Sequence, residues 1–287
     1  MPIKDFVAPI VSSSTLRYVF WLAMLVGLYA AIPTMIEYSS FSDINLIPSQ
    51  FHAALSLVLG WLLVFRTNTA YSRWWEARTL WGALVNASRN LALKLNTLGK
   101  FSVEELSKSA ELIVAFPVVL RCHLRDEISS GLPNEFRPLV MQASHAPQAV
   151  VGQLYEILGT VKASGRIDGD EMRALDEELR RLMDICGGCE RILRTRIVTS
   201  YRVFARQCVI LFLATLPWGI VHDFRVWTIP LTIITAYFML GLETVAEHVE
   251  EPFGYDEDDL ALESLCETIA MSVRETFALR SLATREE

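Results

Sequence analysis

The 287-residue sequence has no framework of paired cysteines. Its five, Cys122, Cys186, Cys189, Cys208 and Cys266, are odd in number and scattered. That excludes a disulfide-stapled secreted domain and fits a reduced, cytosolic side. Basic residues are too few for a nucleic-acid partner: 26 Lys and Arg stand against 33 Asp and Glu, a net charge of −7. Phosphate binding needs clustered cations that release counterions. There is no glycine-rich phosphate loop, no HExxH pair and no nucleophile elbow, so nothing argues for an enzyme. Cys186-Gly-Gly-Cys189 is a CxxC, yet it sits in a helical pattern with no strand beside it and no two further zinc ligands nearby. Internal repeats, low-complexity tracts and flexible linkers are missing as well. Residues 1–287 therefore read as a single structural unit.

What the chain does have is apolar length. Hydrophobic residues make up 52% against 21% charged, with a mean hydropathy of +0.32. Tyr18 to Ile36 carries no charge and is long enough to cross roughly 30 Å of hydrocarbon as a helix. It is too long for a signal-peptide core, and Pro33 to Glu37 is no small-residue cleavage site. Further apolar runs cover Phe51 to Phe65, Cys208 to Val221 and Val226 to Leu242. Four membrane spans are expected, at about 16–36, 51–65, 207–221 and 226–242. Pro217 and Pro230 inside the later runs need neighbouring helices, so the spans should be bundled.

Orientation follows from the basic flanks. Glu37 to Gln50 has no Lys or Arg, and the tip between the last two runs has only Arg225. Both tips are expected outside and both termini in the cytosol, for a multi-pass protein of a bacterial inner membrane or a plasma membrane. The remainder, about 66–206 and 243–287, reads as a helical cytosolic region. Ser102-Val-Glu-Glu105 is a capping box for a helix running toward Arg125. Gly131 to Asn134 is a loop, Ala146-Pro147 opens a helix ending near Gly165, and Asp168 starts another through Ile185. The amphipathic stretch Leu262, Leu265, Ile269, Val273 closes the chain, with Asp258 and Asp259 at its N-terminus.

The second apolar run does not stop where a bilayer would. Phe51 to Leu98 contains no proline and can form one very long helix. Within it Leu57, Trp61 and Phe65 recur every four residues, about 400° of helical rotation, and so form one row. Such a row packs against lipid or a neighbouring helix. Alternatively, several copies around an axis make stacked apolar rings that gate ions by dewetting. Below it, Arg73 and Glu76 can pair on one face, and Trp74-Trp75 suits a membrane interface. His52 and His222 lie near the outer ends of spans and read as solvated interface residues. Glu250, Glu251, Asp256, Glu257, Asp258 and Asp259 crowd into ten residues without EF-hand spacing. Solvated helix-capping acids and a hard-cation site are both open there.

The segments FRTNTAYSRWWEARTLWG (Phe65 to Gly82) and EEPFGYDEDDL (Glu250 to Leu260) resemble the bestrophin family of ion channels. So do CERIL (Cys189 to Leu193), Tyr201 and the pair Leu216-Pro217. The resemblance, to the short bacterial-type members, covers nearly the whole chain. It implies an all-α membrane protein with four transmembrane helices per subunit and long helices reaching into a helical cytosolic region. Five subunits would surround one pore passing monovalent ions. By register with Arg73 the apolar neck falls on Leu57, Trp61 and Phe65, with Trp61 bulkier than expected. A cytosolic aperture falls on Ile197, where Arg196 and Val198 replace prolines common in relatives. Arg191, Arg194, Arg196, Arg202 and Arg206 make that exit electropositive or simply flank the membrane, and Arg194 and Arg196 are the pore-region charge candidates. No cofactor is required. Animal relatives hold calcium in the acidic segment, and Asp256 and Asp259 keep the carboxylates while Glu251 replaces an Asn. Animal relatives pass anions and bacterial-type relatives favour monovalent cations, so selectivity stays open. A non-conducting membrane scaffold or divalent-cation sensor is the alternative.

Overall fold

The computed structural model describes residues 13–39, 48–127 and 137–286, and no strand occurs among them. The loop expected at Gly131 to Asn134 lies outside the described residues. Among the described residues nine α-helices follow in order: α1 (Ser14–Glu37), α2 (Ser49–Thr97), α3 (Val103–Leu124), α4 (Arg137–Gln142), α5 (Ala146–Ala163), α6 (Gly169–Arg194), α7 (Thr199–Phe224), α8 (Thr228–Glu250) and α9 (Leu262–Glu286). Backbone proximity gathers them into two compact units. One takes the described parts of Met1–Trp74 and Arg196–Asp259, the other those of Trp75–Thr195 and Leu260–Glu287. Helix α2 contributes residues to both.

In the first unit α1, the start of α2, α7 and α8 form an antiparallel bundle. Among the described residues three helical stretches are long and apolar enough to cross a membrane: Ser14–Glu37, Gln50–Thr97 and Thr199–Glu250. The third is broken at Arg225, whose φ of 49° ends α7 and leads through the 3-10 turn Arg225–Trp227 into α8. Its parts, 26 and 23 residues long, each suffice for roughly 30 Å at 1.5 Å per residue. Helix directions are set by pairs far apart in sequence. Arg206 near the start of α7 meets Glu247 near the end of α8 at 2.7 Å. Ser14 at the start of α1 donates its amide to Glu257, while Glu37 at the other end meets His222. Tyr29 donates to the Ala214 carbonyl (2.8 Å) and accepts from Trp218 (2.7 Å), stitching α1 to α7 within the apolar layer. A polar pair here gains because no water competes. Around them Ala23, Leu59, Leu63, Val209, Phe212, Leu213, Leu216 and Ala236 make the buried core. Pro230 lies in the first turn of α8, where its missing N–H costs nothing.

The outer face of the same bundle is apolar too. On α1, Tyr18, Trp21, Leu25, Leu28, Ile32 and Met35 are exposed at alternating spacings of three and four. An aqueous protein does not carry such a stripe; lipid or another subunit accepts it.

Close helix approach in this unit rests on two small residues. A Cβ on Gly27 would fall 2.2 Å from Ile233 Cγ1, and one on Gly219 would fall 2.3 Å from His52 Nδ1. His52 is therefore not a solvated interface residue. It is buried, with Nε2 3.1 Å from Thr215 Oγ1, because Gly219 leaves room for its ring. His222 does face solvent.

The second unit is a water-type helical bundle. Trp81, Leu84, Leu91 and Leu95 of α2, Leu112, Ile113, Phe116 and Leu120 of α3, and Leu175, Leu179 and Leu182 of α6 are fully buried. The capping box expected at Ser102 forms, and Asp168 makes a second one. Ser102 and Glu105 satisfy each other's backbone amides at the start of α3, and Asp168 and Glu171 do so for α6. Helix α6 runs on past Ile185 to Arg194, keeping Ile185, Cys186, Cys189 and Ile192 on its buried side. Lys94 meets the buried Glu178 at 2.7 Å, and Asn96 donates to the Thr276 carbonyl of α9 at 2.8 Å. Arg166 grips Glu105 with two hydrogen bonds of 2.7 and 2.8 Å. Those bonds, with help from Ser102, hold the Glu105 carboxyl down from 4.5 to about 2.

Two outcomes are expected. Gly219→Ala should lose about 1–3 kcal/mol of stability by overpacking, and adding His52→Ala should recover part of it. Thermal melts in detergent check this, and additive losses would place the strain elsewhere. Because Glu105 is depressed in the folded state, its contribution is complete above its ordinary value of 4.5 and disappears as pH falls toward about 2. Acid titration of helicity should show that loss, and Glu105→Gln should remove Glu105's share of the pH dependence across the window.

Candidate functional site

Along its first half α2 presents two opposite faces. His52, Leu59, Leu63, Arg66 and Ala70 are all buried and follow one helical stripe into the bundle. Two residues turn a helix by about 200°, so Leu57, Trp61 and Phe65 point away from that stripe. They are 67%, 62% and 57% exposed. The rings of Trp61 and Phe65 touch, with centroids 5.8 Å apart. The row expected from spacing thus exists on one chain as an outward apolar ridge.

Just below the ridge sits a charge cluster that spacing did not reveal. Arg66 is fully buried, with Nε 2.8 Å from Glu243 and Nη2 3.9 Å from Glu250. Glu250 is also buried, and its carboxylate accepts the Ile197 amide at 3.2 Å. Its carbonyl accepts from Arg73 at 3.2 Å, and the Asp258 carbonyl accepts from the Trp74 indole at 3.0 Å. Arg206 reaches Glu243 (3.7 Å) and Glu247 (2.7 Å) from α7. A guanidinium taken out of water is tolerable only with such partners. The sequence signal was available: Arg66 and Glu243 are lone charges at the edges of apolar runs, where an ionisable group signals a role.

Ile197 and Arg196 adjoin this cluster. Ile197 is half-buried in the non-helical link that precedes α7, held by Glu250. Arg196 is exposed and ion-paired with Glu251 at 3.0 Å. Arg194, at the end of α6, is exposed. Three of the five expected cations carry acidic partners: Arg191 joins Glu76, Arg196 joins Glu251 and Arg206 joins Glu247. That trims the positive field the arginines alone would make.

The acidic segment is folded upon itself. Asp259 accepts the Asp256 amide at 2.7 Å, Asp258 faces His248 at 3.5 Å, and Glu257 takes the Ser14 amide at 3.1 Å. The first turn of α9 contains Glu263. A calcium ion at Glu251, Asp256 and Asp259 would compete with Arg196 for Glu251.

The chain is similar to known proteins along most of its length. The model of the bacterial/fungal bestrophin protein family matches residues 4–275. A voltage-dependent anion channel-forming protein of Nostoc sp. is 34% identical over 240 residues, 78% of this chain and 76% of that protein. One from Ralstonia nicotianae is 32% identical over 246 residues, 83% and 80% of the two chains. The crystal structure of a bacterial bestrophin homologue from Klebsiella pneumoniae superposes with a TM-score of 0.82 at 25% identity, covering 92% of this chain and 98% of that one.

Arg66→Ala should cost about 3–5 kcal/mol, because Glu243 and Glu250 stay buried without that cation. Glu250→Gln should cost less, since an amide oxygen still accepts from Ile197. Denaturation of the detergent-solubilised protein ranks the two, and an Arg66→Ala variant as stable as the parent would deny the cluster its structural role.

Proposed function

The chain belongs to the bacterial/fungal bestrophin family, and from that premise we propose that it is a pore-forming channel for small monovalent ions. The observation that carries the reading is the outward ridge Leu57, Trp61, Phe65, on the face of α2 opposite its own bundle. A ridge on the buried face would be ordinary core packing. On the free face, five copies about an axis bring three apolar rings together into a neck that dries when narrow and wets when wide. In this reading the protein is a homopentamer in a bacterial inner membrane or plasma membrane, with four spans per subunit and both termini cytosolic. The basic flanks support that orientation.

Ile197 then forms the cytosolic aperture, its position fixed through Glu250 by Arg66. The neck itself favours neither sign of ion, because it offers no charge. Arg194 is left as a candidate for setting the field, with Arg196 neutralised by Glu251. The named relatives are anion channel-forming proteins, which inclines the reading to anions. Calcium is not needed for conduction through such a neck, and the Glu251–Arg196 pair works against a clasp in the acidic segment.

The test is a planar-bilayer recording under a sodium chloride gradient. A current with a shifted reversal potential is expected, and its sign assigns anion or cation preference. Trp61→Ala should raise unitary conductance by about twofold or more, because dewetting is steep in radius. Unchanged conductance would remove this ridge from the pore. No current from folded oligomer would favour a membrane scaffold or divalent-cation sensor instead.

A further inference from the structure

In the second unit, two imidazoles from separate helices converge on one carboxylate. His123 in the last turn of α3 and His145 at the N-cap of α5 place their Nε2 atoms 2.6 and 2.9 Å from the same Glu190 oxygen on α6. The two rings lie 4.9 Å apart between centroids. All three ligand atoms fall within 4.8 Å of one another, the only such trio of His, Cys, Asp or Glu groups among the described residues. The side chains are 18–27% exposed, sheltered enough to be oriented and open enough for an ion to enter.

We propose that His123, His145 and Glu190 bind a divalent transition-metal ion of the zinc class, tying α3 and α5 to α6. The donor set decides the class. Two imidazoles and one carboxylate suit zinc and its first-row neighbours, whereas calcium and magnesium require mostly oxygen ligands. Donors about 2.0–2.2 Å from a tetrahedral ion stand roughly 3.3 Å apart, so the two nitrogen–oxygen separations need open by less than about 1 Å. The fourth position is left to water. Burial alone would raise Glu190, but the hydrogen bonds from His123 and His145 outweigh it and keep the carboxyl below its ordinary value. The neighbouring thiols of Cys186 and Cys189 are pushed up to about 12 by burial. Their sulfurs fall outside the trio of converging ligand atoms.

His145 links loading to structure. Its Nδ1 accepts the Gln148 amide at 3.1 Å and caps α5, so Nε2 carries the proton shared with Glu190. A metal at Nε2 moves that proton to Nδ1, which then no longer accepts from Gln148. Loading trades the α5 cap for a metal bond, and the Gln148 amide reports the exchange. The site shares no residue with the ridge on α2, and its test needs no conduction.

Full-length protein stripped by a chelator is titrated with zinc chloride by calorimetry, and with cobalt(II) chloride by visible absorption. One ion per chain is expected, with four-coordinate cobalt bands, faster exchange at the Gln148 amide, and thermal stabilisation by zinc but not by calcium or magnesium. Glu190→Gln and His145→Ala should each weaken zinc by at least about tenfold, the smallest loss met even for outer-shell partners. Where loss of the cap unfolds His145→Ala, His145→Asn restores a cap without an imidazole and should weaken zinc equally. Absence of binding, or zinc affinity unchanged in folded Glu190→Gln and His145→Asn, overturns the site.

Discussion

Burying Arg66 is the constraint on which the first unit depends. A guanidinium with no exposed surface must be surrounded by carboxylates, and those carboxylates come from distant sequence. Glu243 lies within α8 and Glu250 ends it. Once Glu250 is committed, its second role follows, because the same carboxylate accepts the Ile197 amide and holds the link that leads into α7. Arg206 completes the arrangement by sharing Glu243 from the other side. Three helices and one irregular link are thereby set by one cation. Such a cluster adds little net stability over a well-packed apolar core, but it is costly to break. Its effect is to make one arrangement of α2, α7 and α8 much better than the alternatives.

That arrangement gives α2 its two faces. With Arg66 turned into the bundle alongside Leu59, Leu63 and Ala70, helix periodicity leaves Leu57, Trp61 and Phe65 no choice but to face outward. The charge cluster and the apolar ridge are consequences of a single helix rotation. A bilayer accepts the exposed stripe on α1 for the same reason that water would reject it. The second unit shows no such stripe among its described residues and is held by core packing, capping boxes and pairs such as Lys94–Glu178.

Much of this was legible in the amino-acid order. The capping box at Ser102 and the acidic start at Asp168 predicted two helices, and in each a side chain three positions on completes the cap. The long proline-free run predicted α2, and the polar break before Val226 predicted the turn at Arg225. Other features were not legible. His52 reads as an interface residue until Gly219 is seen to make room for it. His123, His145 and Glu190 lie 22 and 45 residues apart, far outside any ligand spacing that a motif encodes.

Sequence by itself determined the apolar lengths that need a membrane, the helix type, and the four-residue recurrence of Leu57, Trp61 and Phe65. These follow from local periodicity and from transfer of side chains out of water, which depend on neighbours along the chain. Tertiary structure alone decided which face of α2 is buried, which carboxylates meet Arg66, and which three side chains converge on Glu190. Those outcomes depend on contacts between residues as much as 184 positions apart, as between Arg66 and Glu250. Only packing, where one buried charge selects its partners, brings them together.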